Sequence, residues 1–172
     1  MAMRNPAVKK RIFTSIILLL LLVAGQSLCG QSFTFHHLGL KEGLSAQDTG
    51  PICQDHFGFV WVGTSNGLNR FDGYQFRAYT FVPGDSFSLP TNTIADVFED
   101  SQQRLWVATR GGGLVYYDPV LDQFHPQSHI EGDSSSLDNN YVNQIYEDHQ
   151  GRLWIGTNGG LNELLSWDHS GK

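Results

Sequence analysis

Beyond residue 48 the chain consists of short apolar runs separated by polar, glycine-rich turns. Runs of this length suit strands rather than helices. The pattern predicts four strands near 49–55, 59–64, 67–72 and 75–80. Four more fall near 94–100, 104–109, 113–117 and 122–126, and three near 142–148, 152–157 and 160–165. The second run of each group, such as Leu153-Trp154-Ile155-Gly156-Thr157, is apolar at successive positions rather than alternate ones. A strand covered on both faces reads that way. No stretch after the leader shows helical periodicity. The expected class is all-β.

The three groups are copies of one unit. Trp61, Trp106 and Trp154 are separated by 45 and 48 residues. A leucine lies 17 positions before each (Leu44, Leu89, Leu137), an aspartate 6 before (Asp55, Asp100, Asp148) and a threonine 3 after (Thr64, Thr109, Thr157). Gly67-Leu68, Gly113-Leu114 and Gly160-Leu161 follow, and the linkers Gly84–Leu89 and Gly132–Leu137 also match. A period in the forties carrying a tryptophan strand is the signature of β-propeller blades. The reading is therefore about three four-stranded blades of an incomplete propeller. The approximate units are 33–80, 89–126 and 137–172, within a domain spanning 31–172.

Asp-x-x-Gly between two apolar runs is hairpin chemistry: the carboxylate accepts turn amides and the glycine takes the left-handed position. The second copy has Gln103 where the others have Gly58 and Gly151, and a left-handed glutamine costs about 1 kcal/mol. Gly63, Ala108 and Gly156 are small at one shared position, which predicts a close neighbouring backbone or sheet.

These units resemble the two-component regulator propeller repeat. Its pattern is met by Gly43-Leu44-Ser45, Ile52, Asp55, Gly58, Trp61 to Thr64 and Gly67-Leu68-Asn69-Arg70-Phe71-Asp72. It is met again by Val142, Ile145, Asp148, Gly151, Trp154 to Thr157 and Gly160-Leu161-Asn162. The resemblance implies the extracytoplasmic sensor half of a hybrid two-component system. Such sensors commonly detect oligosaccharides and signal to a cytoplasmic histidine kinase.

The leader agrees with that address. Arg4, Lys9, Lys10 and Arg11 precede an apolar stretch from Ile12 to Ala24, which is short for a membrane span and ordinary for a signal peptide. Residues 1–30 are expected to be a signal peptide or, alternatively, a signal anchor, giving a periplasmic location. Residues 1–29 hold four of the 11 Lys and Arg and none of the 17 Asp and Glu, so the remainder carries about −10. That charge argues against nucleic acid or an anionic membrane surface as partner. Any membrane attachment would come from the signal anchor or a span further downstream. Cys53 has no partner beyond the leader and reads as a packing residue.

The candidate ligand-facing groups vary over a constant frame: Asn66, Arg110 and Asn158, in the turns after each threonine. Polar and planar groups there suit sugar hydroxyls, with Tyr74 or Tyr116 for stacking. The adjacent His36 and His37 would point to opposite strand faces, so no metal is expected. His56 and His149, replaced by Ser101 in the second copy, read as exposed turn residues. Arg110-Gly111-Gly112-Gly113 lacks the Lys-Ser/Thr ending of a phosphate loop. No kinase or hydrolase motif appears, so the chain is read as non-enzymatic, without cofactor.

Three units fall short of the typical 4 to 8 blades of a propeller, and Phe33 to Leu38 reads as a lone outer strand. The chain is therefore read as the N-terminal fragment of a longer sensor, whose remaining blades and kinase part would be its partners. Two alternatives stand beside the sensor: a quinoprotein-like propeller enzyme fragment, and a structural or adhesive propeller without signalling output.

Overall fold

A computed structural model describes residues 32–167 together with Lys10, Phe13 and Thr14. The chain divides into two units, Met1–His36 and His37–Lys172. In the first, the three isolated residues are helical, and the Thr14 hydroxyl donates to the Lys10 carbonyl at 2.7 Å. The rest of the predicted signal peptide lies outside the described residues.

The second unit contains three antiparallel meanders. The first sheet runs β1 (Thr49–Gln54), β2 (Val60–Thr64), β3 (Gly67–Phe71) and β4 (Phe76–Tyr79). The second runs β5 (Ile94–Glu99), β6 (Leu105–Thr109), β7 (Gly113–Asp118) and β8 (Gln123–Gln127). The third has β9 (Val142–Glu147), β10 (Leu153–Thr157) and β11 (Leu161–Leu164). Each predicted strand is present, with ends shifted by at most one residue. Each first strand carries a register irregularity at the same place: between Thr49 and Ile52, between Ile94 and Asp96, and opposite Gly156 and Thr157.

One expectation fails. Residues 33–38 form no strand. The third sheet has three strands among the described residues, in line with the sequence pattern.

The doubly apolar runs follow from two-sided packing. Side chains alternate across a strand, so Trp106 and Ala108 of β6 leave on one side and Leu105 and Val107 on the other. Leu105 and Val107 join Trp61, Leu68, Ile94, Val97, Val115 and Phe124 in the core between the first two sheets. Trp106 and Ala108 join Leu114, Val142, Ile145, Leu153 and Ile155 in the core between the second and third. The small residue at the shared position has its reason here. A Cβ on Gly63 would lie 2.7 Å from Ile94 Cγ2 and 2.8 Å from Pro51 Cγ. The next sheet leaves no room for a methyl group.

Candidate functional site

At one end of each sheet the first hairpin is locked by its aspartate. Asp55 Oδ1 accepts the N–H groups of Phe57 and Phe59 at 3.0 and 2.9 Å, and Oδ2 accepts Trp61 Nε1–H at 2.7 Å. Asp100 binds Gln102, Arg104 and Trp106, and Asp148 binds Gln150, Arg152 and Trp154, in the same way. In the second and third copies an arginine adds an ion pair to the same carboxylate, Arg104 at 2.6 Å and Arg152 at 2.7 Å. The Trp154 indole and the turn amides hold Asp148 well below the usual carboxylate range. Gly58 and Gly151 have φ of 90° and 75°, and Gln103 takes the same left-handed position at 63°.

His56 is the exposed turn residue that the sequence suggests, and the residue after each of the first two turn aspartates also links neighbouring sheets. His56 donates its backbone N–H to Glu99 Oε1 at 3.0 Å, and its Nδ1 lies 2.7 Å from the same oxygen. Ser101 repeats the link, with its N–H and hydroxyl on Glu147 at 2.8 and 2.5 Å. The chemistry of the slot changes from imidazole to hydroxyl while its acceptor stays a glutamate. The signal was present in the sequence: Glu99 and Glu147 each directly precede a turn aspartate.

The opposite end carries the turns after the threonines. Thr64 and Thr109 donate their hydroxyls to the carbonyls of Gly67 and Gly113 at 2.9 and 2.8 Å, and Thr157 donates to Asp138 Oδ1 at 2.6 Å. Asn66 is exposed, and its amide donates to the Ser45 carbonyl at 3.2 Å. Arg110 and Asn158 meet across one residue. Arg110 forms an antiparallel bridge with Tyr141, and Asn158 N–H donates to the Tyr141 carbonyl at 3.0 Å. Sequence reasoning missed Asn92 and Asn140, each 14 residues before a tryptophan. The Asn92 carbonyl accepts Gly67 N–H at 2.7 Å, while that of Asn140 accepts Gly111 and Gly113 N–H at 3.1 and 2.9 Å.

Neither aromatic residue named for stacking serves this end. Tyr116 is buried against Trp106 and Trp167, since its position opposite Trp106 puts it on the face that the third sheet covers. Tyr74 is exposed but lies in the β3–β4 turn, at the other end.

A cleft of about 210 Å³ opens at the hairpin end between the first two sheets, lined by Asp55, Phe57, Phe59, Trp61, Arg70, Tyr117 and Pro119. The Arg70 guanidinium sits 4.6 Å over the Phe59 ring and donates to the Tyr117 hydroxyl at 3.2 Å. Beside it, Asp122 accepts the hydroxyls of Tyr117 and Tyr79 at 2.7 and 2.9 Å and pairs with Arg77. Burial, with those hydrogen bonds to Asp122, pushes the Tyr117 phenol upward. Burial acts against the Asp122 carboxylate, but the two tyrosines and the arginines outweigh it and hold its pKa below the ordinary value. These groups tie two sheets together. Cys53 is free and half-buried, its thiol pushed up by burial. No cluster among the described residues could hold a metal ion.

Residues 88–111 and 136–159 match the family model described as two component regulator propeller. The repeat is thus recognised in the second and third copies. Among solved structures, the chain is similar to the extracellular domain of a hybrid two component system from B. thetaiotaomicron. The identity is 29%, covering 78% of this chain and 20% of that one, with a TM-score of 0.67. It is similar to a second such extracellular domain from the same organism at 32% identity, covering 68% of this chain and 16% of that one, with a TM-score of 0.56. A curated relative, "Histidine kinase P4" of Formosa agariphila, is 39% identical over 75 residues, which are 44% of this chain and 6% of that protein. The chain therefore spans a fifth or less of the length of these relatives. The region resembles the extracellular domains of such systems.

Proposed function

We propose that this chain is the extracytoplasmic, ligand-sensing propeller segment of a two-component sensor and that its ligand is a carbohydrate. The observation that carries the reading is the likeness of this segment to extracellular domains of hybrid two component systems at 29% and 32% identity. In this reading the segment senses and carries no catalysis of its own. Residues 1–30 direct it out of the cytoplasm as a signal peptide or anchor, and 31–172 form its propeller part. Its partners are further blades and a kinase part of the same protein. The third sheet presents the face that a further blade would cover: Tyr146 and Leu161 are 54% and 69% exposed there, whereas Leu114, the equivalent of Leu161, is 1% exposed.

Two measurements test this. Alkaline phosphatase, active only outside the cytoplasm, is fused after Lys172. Activity is expected, and an inactive fusion would remove the extracytoplasmic placement. The source strain, with and without these codons, is then grown on a panel of polysaccharides while transcript levels are read. Loss of induction by one polysaccharide is expected. An unchanged response to the whole panel would sink the sensing role.

A further inference from the structure

The junction between the second and third sheets carries side chains that the junction between the first and second does not. The frame is shared: Asn92 matches Asn140, Ile94 matches Val142, and Thr64 matches Thr109. On it, Ser65 is replaced by Arg110, Thr93 by Tyr141 and Ala95 by Asn143. All three changes fall in one place.

Arg110 and Tyr141 are direct partners in an antiparallel bridge, so their side chains leave the backbone on the same side, about 5 Å apart at Cβ. Tyr141 is 51% exposed and Arg110 is exposed as well. The next residue, Gly111, holds φ at 101° and puts no side chain beside the ring, where a Cβ would lie 3.8 Å from Tyr141 Cζ. Asn143 donates its amide to Asn158 Oδ1 at 2.8 Å, which fixes both amides next to the Tyr141 backbone. The ion pairs among the described residues involve His56, Arg77, Arg104 and Arg152, and none involves Arg110. In a chain of formal net charge −6, Arg110 thus sets a guanidinium outside those ion pairs beside an open aromatic ring.

We infer that this corner is a subsite for a sugar ring bearing an anionic substituent, a carboxylate or a sulfate. The inference rests on the carbohydrate-sensing reading above and sharpens it. Tyr141 offers an apolar face to the C–H side of the ring. Arg110 presents the planar fork that pairs with two oxygens of one anionic group. The Asn143 and Asn158 amides are placed for hydroxyls, each able to donate and accept.

The test uses the full chain, ¹⁵N-labelled, with three probes: a tetragalacturonate, a sulfated galactan tetrasaccharide and neutral cellotetraose. Both anionic probes, or one of them, are expected to shift the Arg110 Nε–H and the Asn143 and Asn158 side-chain amide resonances, and the stronger names the substituent. Arg110→Gln is expected to weaken that binding about tenfold or more while leaving the spectrum of the rest of the chain unchanged. Tyr141→Phe should retain binding and Tyr141→Ala should lose it. Equal shifts with cellotetraose, or tight anionic binding that survives Arg110→Gln, would overturn the inference. So would saccharide shifts confined to other residues, or none at all. The polysaccharide induction experiment decides the sensing role separately, so a failure here and a failure there are distinguishable.

Discussion

Strand β6 of the second sheet reads Leu-Trp-Val-Ala-Thr and β10 of the third reads Leu-Trp-Ile-Gly-Thr, yet the two strands sit in different surroundings. All five residues of β6 are buried, with Trp106 at 0% exposure. In β10 only Leu153 and Ile155 are buried, and Trp154 is partly exposed. The hydrogen bond to the turn aspartate survives in both, at 2.8 and 3.0 Å. Local chemistry thus builds the hairpin, and a neighbouring sheet supplies most of the burial. The same letters are worth different amounts of free energy according to what lies against them.

Truncating the two tryptophans tests this comparison most severely. Trp106→Ala is expected to cost about 3–5 kcal/mol, the range for emptying a fully buried aromatic site. Trp154→Ala should cost about 1–2 kcal/mol, in proportion to the smaller area it removes from water. Urea unfolding of both variants reads the difference, and equal losses would show that the hairpin rather than the neighbouring sheet sets the value.

The small position sharpens the point. Gly63→Ala forces a methyl group into Ile94 and Pro51 and should cost about 1–3 kcal/mol. At Gly156 the only neighbour of an added Cβ would be Gln144 O at 3.9 Å. Gly156→Ala should therefore change stability by less than about 0.5 kcal/mol. Thermal unfolding midpoints would separate the pair, and a Gly156→Ala loss as large as that at Gly63 would contradict the account.

Acid gives a weaker contrast. Asp122, at the first junction, and Asp148, in the third hairpin, both have folded pKa values below 3.8. Their stabilisation is present above the unfolded value and is lost as pH falls below it toward the depressed folded value. Stability should be flat near neutrality and decline on acidification below about pH 4. Asp122→Asn and Asp148→Asn should each flatten part of that decline in urea titrations between pH 6 and pH 2.5. A slope unchanged in both variants would assign the acid sensitivity elsewhere.

The smallest effect concerns one backbone angle. Gln103→Gly should stabilise by about 0.5–1 kcal/mol by relieving a left-handed glutamine. Gly151→Gln should cost a similar amount. Identical unfolding midpoints for wild type and Gln103→Gly would mean that the second hairpin carries no strain.

The strands were legible because each is bounded by turn residues whose chemistry is local, such as Asp100, Gln103 and Gly113. The left-handed Gln103 could be read from its alignment with two glycines. The bond from Trp61 Nε1 to Asp55 was encoded in a six-residue spacing but needs the folded hairpin to bring the ring over its own turn. The links from His56 to Glu99 and from Ser101 to Glu147 span more than 40 residues, so the recurring glutamate before the turn aspartate is visible in the sequence while the residue it pairs with is not. Tyr116 was misplaced for a different reason. Which side of a strand a residue takes is readable, but which side another sheet will cover is not, and Tyr141 rather than Tyr116 stands open at the loop end.

Those two inter-sheet links also bear on how a molecule of this kind can change in length. Each unit offers a donor just after its turn aspartate, and the second and third also supply an acceptor glutamate just before theirs. A duplicated copy of the second unit spliced in beside the original would arrive with both halves of the fastening already in register. Tandem duplication could then lengthen the array in a single genetic step, with no compensating substitutions at the seams.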